Sequence, residues 1–392
     1  VKQFRPSPIV FIFLTIFIEF MGASLLVPLI PYIVGRYQSD AFTIGLLVSS
    51  FSLAQFFAAP TLGALSDRFG RRPILLMSLV GTGLGFIVFG LANSLPLLFL
   101  GRIIGGASGG AVATAQAYIA DISKPEDRTK NFGLVGAAFG LGFIMGPAIG
   151  GFLGQYSLQL PVFLAAALAI ANAGLGYFTV AESLPPEKRQ ATPWRQVNPF
   201  TQLKALVSNP AVRPLLLGFF LFNFAFAGFQ SNFAVYTRDR FEWGPQENAW
   251  LFAYIGLVSS LVQGVFIRTL IPRFGDANLA RWGLALAGLA VTGVALVPSG
   301  NWLYVTQGVF ALGVGLCLPT LRGLLSERAS AQEQGRVIGG SQSLASLAMV
   351  IGPLWAGTIF DRIGYTAPYW SAGLWILVAL LLINAALPKT KA

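Results

Sequence analysis

Residues 63–73 read Gly63-Ala64-Leu65-Ser66-Asp67-Arg68-Phe69-Gly70-Arg71-Arg72-Pro73, a short charged turn set between two apolar runs, 42–65 and 74–93. Each run offers the roughly 20 residues that a helix needs to cross a hydrocarbon core. Gly63 lets two helix backbones approach closely. Asp67 is an anion at a membrane edge, suited to the positive N-terminal end of a neighbouring helix. Arg68, Arg71 and Arg72 can pair with acids such as Asp121 or anchor to anionic lipid. A plain basic loop accounts for the arginines alone, and has no need of Asp67, Gly63 and Gly70 at these places.

Working outward from this turn, ten further runs have spanning length: 9–33, 96–120, 132–154, 161–180, 213–236, 248–270, 281–298, 302–325, 337–360 and 366–387. Barrel strands would be about half as long and would alternate polar with apolar. These runs do not alternate, so twelve transmembrane helices are expected. The first run shows no small-residue cleavage site before further apolar spans follow, and reads as a retained helix. Composition agrees: of 392 residues, 55% are hydrophobic and 10% charged, against roughly a quarter charged in a soluble domain. Lipid is the solvent that such a chain requires.

The net charge of +11 does not point to nucleic acid, because the basic residues lie between apolar runs and not on one face of a soluble domain. They favour alternate segments. One set includes Lys2, Arg5, Arg68, Arg71, Arg72, Lys124, Arg128, Lys188, Arg189, Arg268, Arg273, Arg322 and Lys389; the opposite set holds Arg36, Arg238, Arg240 and Arg362. Basic segments favour the cytoplasm, so both termini are expected there, as in a bacterial-type inner membrane. Trp243, Trp250, Trp282, Trp302 and Trp370 fall near expected helix ends, as an interfacial aromatic belt would place them. There is no histidine, hence no imidazole relay. Cys317 sits in an apolar run and reads as a packing residue. No metal cluster, no phosphate-cradling loop and no nucleophile with its base is apparent, which argues against an enzyme and against direct ATP drive.

The chain repeats itself. Gly146-Pro147-Ala148-Ile149-Gly150-Gly151 aligns with Gly352-Pro353-Leu354-Trp355-Ala356-Gly357, Arg68-Phe69-Gly70 with Arg273-Phe274-Gly275, Asp121 with Glu327 and Lys130 with Arg336, all at an offset of 205–206. The expected organisation is an N-terminal six-helix half (1–180), a cytoplasmic linker (181–212) and a C-terminal six-helix half (213–392). The linker contains Pro185, Pro186, Pro193 and Pro199, and an amphipathic stretch at Phe200–Val207 suited to the membrane surface. Repeated halves about a midplane site are a transporter architecture.

With these residues in view, the chain resembles the major facilitator superfamily, whose signature loop G-x-L-x-D-R-x-G-R-R/K is matched throughout by 63–72. The resemblance implies an all-α membrane fold of twelve helices in two pseudo-symmetric bundles. It also implies a conformational latch made by Gly63, Asp67, Arg68, Gly70, Arg71 and Arg72, with Asp121 as partner. The second-half copy has Pro272 in place of the acid and Asp276 in place of an arginine, so the latch is expected to be asymmetric. Gly133-x8-Gly142-x3-Gly146-Pro147-x2-Gly150-Gly151 resembles the motif of the drug:proton antiporter branch. Gly142, Gly146 and Gly150 share one helix face, and Pro147 permits a kink. Export follows from that resemblance.

Glu19 is the one acid deep in an expected span, ten residues past Ile9 and so about 15 Å along the helix. A bare carboxylate there is costly; it is expected to be protonated part of the time, paired, or facing a water-filled cavity. Arg102 is the matching cation, and Leu98-x3-Arg102-x2-Gly105-Gly106 resembles a superfamily motif linked with proton coupling. Glu19-Phe20-Met21-Gly22, followed by Pro28 and Pro31, resembles the acid-bearing first helix of tetracycline-type exporters, a likeness that extends to Gln55 and the Glu333-Gln334-Gly335 turn. The chain departs from those exporters at Gly85, Ser259 and Ala287, where they carry an acid, a histidine and an acid. These departures point away from tetracycline and toward a weakly charged or lipid-like cargo. Gln55, Gln116, Asn223, Gln230, Asn232 and Gln263 are neutral polar residues within spans, placed either to contact cargo or to bond between helices. The expected protein is a monomeric proton-coupled exporter of small amphipathic molecules in contact with membrane lipid. It needs no cofactor beyond the proton gradient. The competing expectation is a carrier of the same superfamily without antiport.

Overall fold

In lipid, an apolar run has to satisfy its backbone polar groups within itself, and the helix is the form that does so. The computed structural model describes residues 8–38, 40–124, 128–189, 198, 200, 212–328 and 334–387, and every regular element among them is helical. The first span is α1 (Pro8–Leu25) followed by the short α2 (Ile30–Val34), divided where Pro28 and Pro31 interrupt backbone donation. The second and third spans are α3 (Ala41–Phe69) and α4 (Arg71–Gly90). The fourth is broken into α5 (Leu95–Ala107) and α6 (Ala111–Ile122) by Ser108-Gly109-Gly110, and α7 (Arg128–Gly154) and α8 (Leu160–Thr179) complete the first six.

Beyond the linker come α9 (Arg213–Phe241), α10 (Pro245–Leu261), a π turn at Val262–Phe266 and α11 (Ile267–Val294). The chain ends in α12 (Trp302–Glu327), α13 (Gln334–Ile363) and α14 (Ala367–Ala386). Eleven stretches are long and apolar enough to cross a membrane, the longest being Pro245–Val294. Gly275, at φ 73° and ψ 156°, divides that stretch into two spans and brings the number to twelve. Gly70 adopts the same left-handed conformation, φ 108° and ψ 157°. The turn backbone thus survives in both copies of the repeat, although the acid of the second copy is gone. Trp250, Trp282, Trp302 and Trp370 are all exposed, as a lipid-facing belt requires.

The chain divides into two compact units, Val1–Tyr37 with Ser50–Asn198 and Gln38–Ser49 with Pro199–Ala392. The first turns of α3 therefore group with the second unit. There Asp361 of α13 accepts from the N–H groups of Ala41 and Phe42 at 3.0 and 2.8 Å, and Asp40 accepts from the Thr43 N–H at 2.8 Å. In the first unit α1 packs on α7 and α8, and α4 on α5 and α8, around Phe11, Ile12, Ile16, Leu75 and Leu79. In the second, α11 packs on α12 and α14, and α9 on α13 and α14. Cys317 is fully buried, in keeping with a packing role. Of the amphipathic stretch Phe200–Val207 only Phe200 is described. Pro193, Pro199, Glu333 and the side chains of Lys130, Glu327 and Arg336 lie outside the described residues.

The three positions at which the chain departs from the tetracycline-type pattern lie where helices meet. A Cβ at Gly85 would lie 2.7 Å from the Gly105 nitrogen and 2.9 Å from the Gly101 oxygen, so the α5 backbone occupies the place of a side chain. The Ala287 nitrogen lies 2.6 Å from where a Cβ on Gly313 would sit, which puts the α12 backbone against Ala287. The Ser259 hydroxyl donates to the Ala311 oxygen at 3.4 Å. Packing thus fills the two sites at which this chain lacks the acids, while Ser259 is half-buried.

Candidate functional site

Glu19 lies half-buried on α1, and its Oε1 accepts from the Thr82 hydroxyl of α4 at 3.1 Å. The next residue, Phe20, packs edge-on against Phe139 of α7 with ring centres 4.6 Å apart. Arg102 of α5 stacks over the Phe51 ring of α3 at 4.2 Å, and its buried Nε has no partner among the described residues. Glu19 and Arg102, the expected acid and its matching cation, are not in direct contact: neither appears in any ion pair among the described residues. Depth along the helices puts a cation and an anion at plausible levels, but α1 turns its carboxylate to α4 while α5 turns its guanidinium to α3.

The antiporter-type glycines explain how α1 is held. A Cβ on Gly142 would lie 2.9 Å from the Met21 nitrogen, and one on Gly146 would lie 2.6 Å from the Met21 oxygen and press on Ser24 Oγ. One on Gly150 would lie 2.5 Å from the Leu25 oxygen. The Ser24 hydroxyl donates across the seam to the Gly142 oxygen at 3.0 Å. The stripe is therefore the bed on which the Glu19 helix lies. Gly133, by contrast, has no described atom within 4 Å of a Cβ. The helix continues through Pro147, and Gly151 beyond it is buried.

In the loop after α3, Arg71 is the hub. Its Nη1 pairs with Asp67 at 2.6 Å and donates to Ser66 Oγ at 2.7 Å, while its Nε reaches Asp121 at 3.2 Å. Ser183 adds a hydroxyl to the same Asp121 oxygen at 3.0 Å. Arg72 donates to the Tyr177 oxygen at 2.6 Å, and Arg68 lies exposed over the Phe69 ring. Two expectations change. The acid at the positive end of α4 is Glu182 and not Asp67: Glu182 accepts from the N–H groups of Arg71, Arg72 and Leu184 at 2.8, 3.2 and 3.0 Å. Gly63 is not a site of close backbone approach, since no described atom lies within 4 Å of a Cβ there; its oxygen accepts from Ser66 Oγ. Gly70 needs its glycine on two counts, a positive φ and the Glu182 carboxylate lying where a Cβ would be.

The neutral polar residues separate in the same way. Gln55 donates to the Gly109 oxygen at 3.4 Å, at the break between α5 and α6. Asn223 donates to Phe219 within its own helix at 2.7 Å, a packing role. Gln116 is exposed, Gln230 is half-buried, and Gln263 is half-buried within the π turn. Asn232 is fully buried with both side-chain atoms unpartnered among the described residues, and so is Gln307 of α12. Sequence reading passed over Thr82, Glu182 and Gln307. Gln307 was within reach, because it stands 205 residues after Arg102 and Leu303 stands 205 after Leu98.

A family profile described as Major Facilitator Superfamily matches residues 12–339 and 265–392. The chain belongs to the major facilitator superfamily. It is 33% identical over 370 residues to the class C tetracycline resistance protein of Escherichia coli, covering 94% of this chain and 92% of that one. It is 30% identical over 387 residues to multidrug resistance protein 2 of Bacillus subtilis, covering 97% and 95%. Among solved structures it resembles the human organic anion transporter MFSD10 (TETRAN), with 25% identity, a TM-score of 0.75 and coverage of 96% of this chain and 100% of that one. This superfamily member is thus a transporter and not an enzyme, with tetracycline and multidrug resistance proteins among its relatives.

Proposed function

We propose that this chain exports small amphipathic molecules in exchange for protons by alternating access, with Glu19 as the group that trades its proton for cargo. The observation that carries the reading is the setting of Glu19. This lone membrane acid is bonded to Thr82 of α4, on a helix bedded by the glycine stripe of α7. A carboxyl so placed changes charge only when water or cargo reaches it, so its protonation and the seating of α1 are coupled. Resistance proteins among the relatives support a drug-like cargo. The Arg71 hub with Asp67, Asp121 and Glu182 serves as the conformational latch, and Arg102 acts on Glu19 from a distance through its uncompensated charge. The protein works as a monomer in a bacterial-type inner membrane, both termini cytoplasmic, in contact with lipid and without a cofactor.

The test is proton release from everted vesicles, followed with a pH-sensitive dye during addition of cargo. Glu19→Gln should abolish cargo-induced proton movement while binding persists. Undiminished exchange in that variant removes Glu19 from the mechanism, and export that survives collapse of the pH gradient replaces exchange with a carrier lacking antiport.

A further inference from the structure

Gln307 lies one turn from the N-terminal end of α12, fully buried, and neither its Oε1 nor its Nε2 has a partner among the described residues. A buried carboxamide offers two donors and two acceptor sites, and leaving them unmade costs the whole of their desolvation. Most buried polar atoms in native proteins avoid this cost, and those that do not call for an explanation. Packing does not supply one, since a leucine would fill similar space without the penalty.

Three features around Gln307 point to a ligand. One turn along α12, Phe310 meets Phe229 and Phe226 of α9 with ring centres 4.8 and 5.8 Å apart. Next to Gln307, Gly308 admits the Tyr254 hydroxyl of α10 into the space of its missing side chain. In the repeat, Gln307 occupies the place of Arg102, and the aligned Leu303 and Leu98 are both fully buried. The first unit thus sets a cation over an aromatic ring, and the second sets a neutral amide beside an aromatic cluster, at corresponding positions of the fourth and tenth spans.

We infer that Gln307 is a cargo-recognising residue that hydrogen-bonds the amide, hydroxyl or keto groups of uncharged molecules, whose flat apolar part packs against the half-buried Phe226 ring, itself backed by the fully buried Phe229 and Phe310. The inference rests on the reading of this chain as a carrier of small amphipathic molecules, and it adds the class of cargo that the second unit selects. A guanidinium in this place would bind anions and repel cations; an amide discriminates by hydrogen bonding and is indifferent to charge. A site built to bond polar groups rejects ligands that lack them, because its own groups are then left unpaired.

The experiment uses the purified full-length protein in detergent, without a gradient, and two probes. Chloramphenicol is a neutral aryl amide with hydroxyl groups; tetraphenylphosphonium is an aromatic cation with no hydrogen-bonding group. Gln307→Leu should weaken chloramphenicol binding about tenfold or more, leave tetraphenylphosphonium within about twofold, and leave Tm unchanged or raised. Gln307→Asn, which keeps the amide, should recover part of the chloramphenicol affinity. Equal loss for both probes overturns the inference. So does unchanged chloramphenicol binding with a lowered Tm, the result expected if structural water satisfies the amide, and so does wild-type protein that fails to bind chloramphenicol. Failure of proton exchange in vesicles, with this binding pattern intact, would remove the antiport mechanism and leave the site standing.

Discussion

Replacing Gly146 with alanine adds one carbon to the seam between α1 and α7. That carbon would lie 2.6 Å from the Met21 oxygen and 2.9 Å from the Leu25 nitrogen, against the 3.4 Å at which ordinary contact begins. Both partners are backbone, so rotation of a side chain cannot relieve them, and α1 has to withdraw by about 0.8 Å, the gap between 2.6 and 3.4 Å. Ser24 can turn away from the new methyl, but it then gives up its bond to the Gly142 oxygen. Overpacking of this kind costs about 1–3 kcal/mol. The displaced helix carries Glu19, whose 3.1 Å bond to Thr82 has little slack for such a shift, and misplacement of about 1 Å at a reacting group can cost on the order of a hundredfold in rate. Export into everted vesicles should therefore fall by about tenfold or more, with a lowered Tm in detergent. Gly133→Ala is the control. It stands in the same motif with open space about it, and an exposed helix gains up to about 1 kcal/mol from that exchange. Wild-type export by Gly146→Ala, or equal damage from Gly133→Ala, refutes the view that the stripe acts through its contact with α1.

Two more outcomes follow from the helix ends. Glu182→Gln keeps the shape of the α4 cap but removes its charge, and should lower stability by about 1 kcal/mol, the modest figure suited to a half-exposed carboxylate at a helix N-terminus; an unchanged Tm would show that the cap is idle. At Asp40, burial pushes the carboxyl up, but the hydrogen bonds from Thr43 outweigh it and hold the group below the usual carboxylate range. A depressed pKa means that the cap stabilises α3 above about pH 4 and loses that contribution as the pH falls through the folded-state value. Asp40→Asn should therefore be less stable than wild type at neutral pH and converge with it in acid. A Tm difference that does not narrow on acidification contradicts the account.

The twelve spans were legible because lipid imposes a length and an apolar composition that few other environments demand. The repeat was legible because its glycines and prolines mark backbone events, and Gly70 and Gly275 share a left-handed conformation. Partners were harder to read. Sequence gives the depth of a residue along its helix but not the neighbour it faces, so Glu19 and Arg102 looked matched although one turns to Thr82 and the other to Phe51. Glu182 was missed for a related reason: it caps a helix that begins 111 residues earlier, and no local pattern announces that return. Gly63 was misread because a small residue permits a close approach without requiring one.

The seam at Gly85 also bears on how this protein can evolve. Where the α5 backbone fills the place of a side chain, no carboxylate can be introduced by one codon change without forcing the fourth span aside. A lineage starting from this chain would first have to loosen α5 at Gly101 and Gly105, and the intermediates would be poorly packed. The charge pattern of this seam is in that sense locked by its own packing.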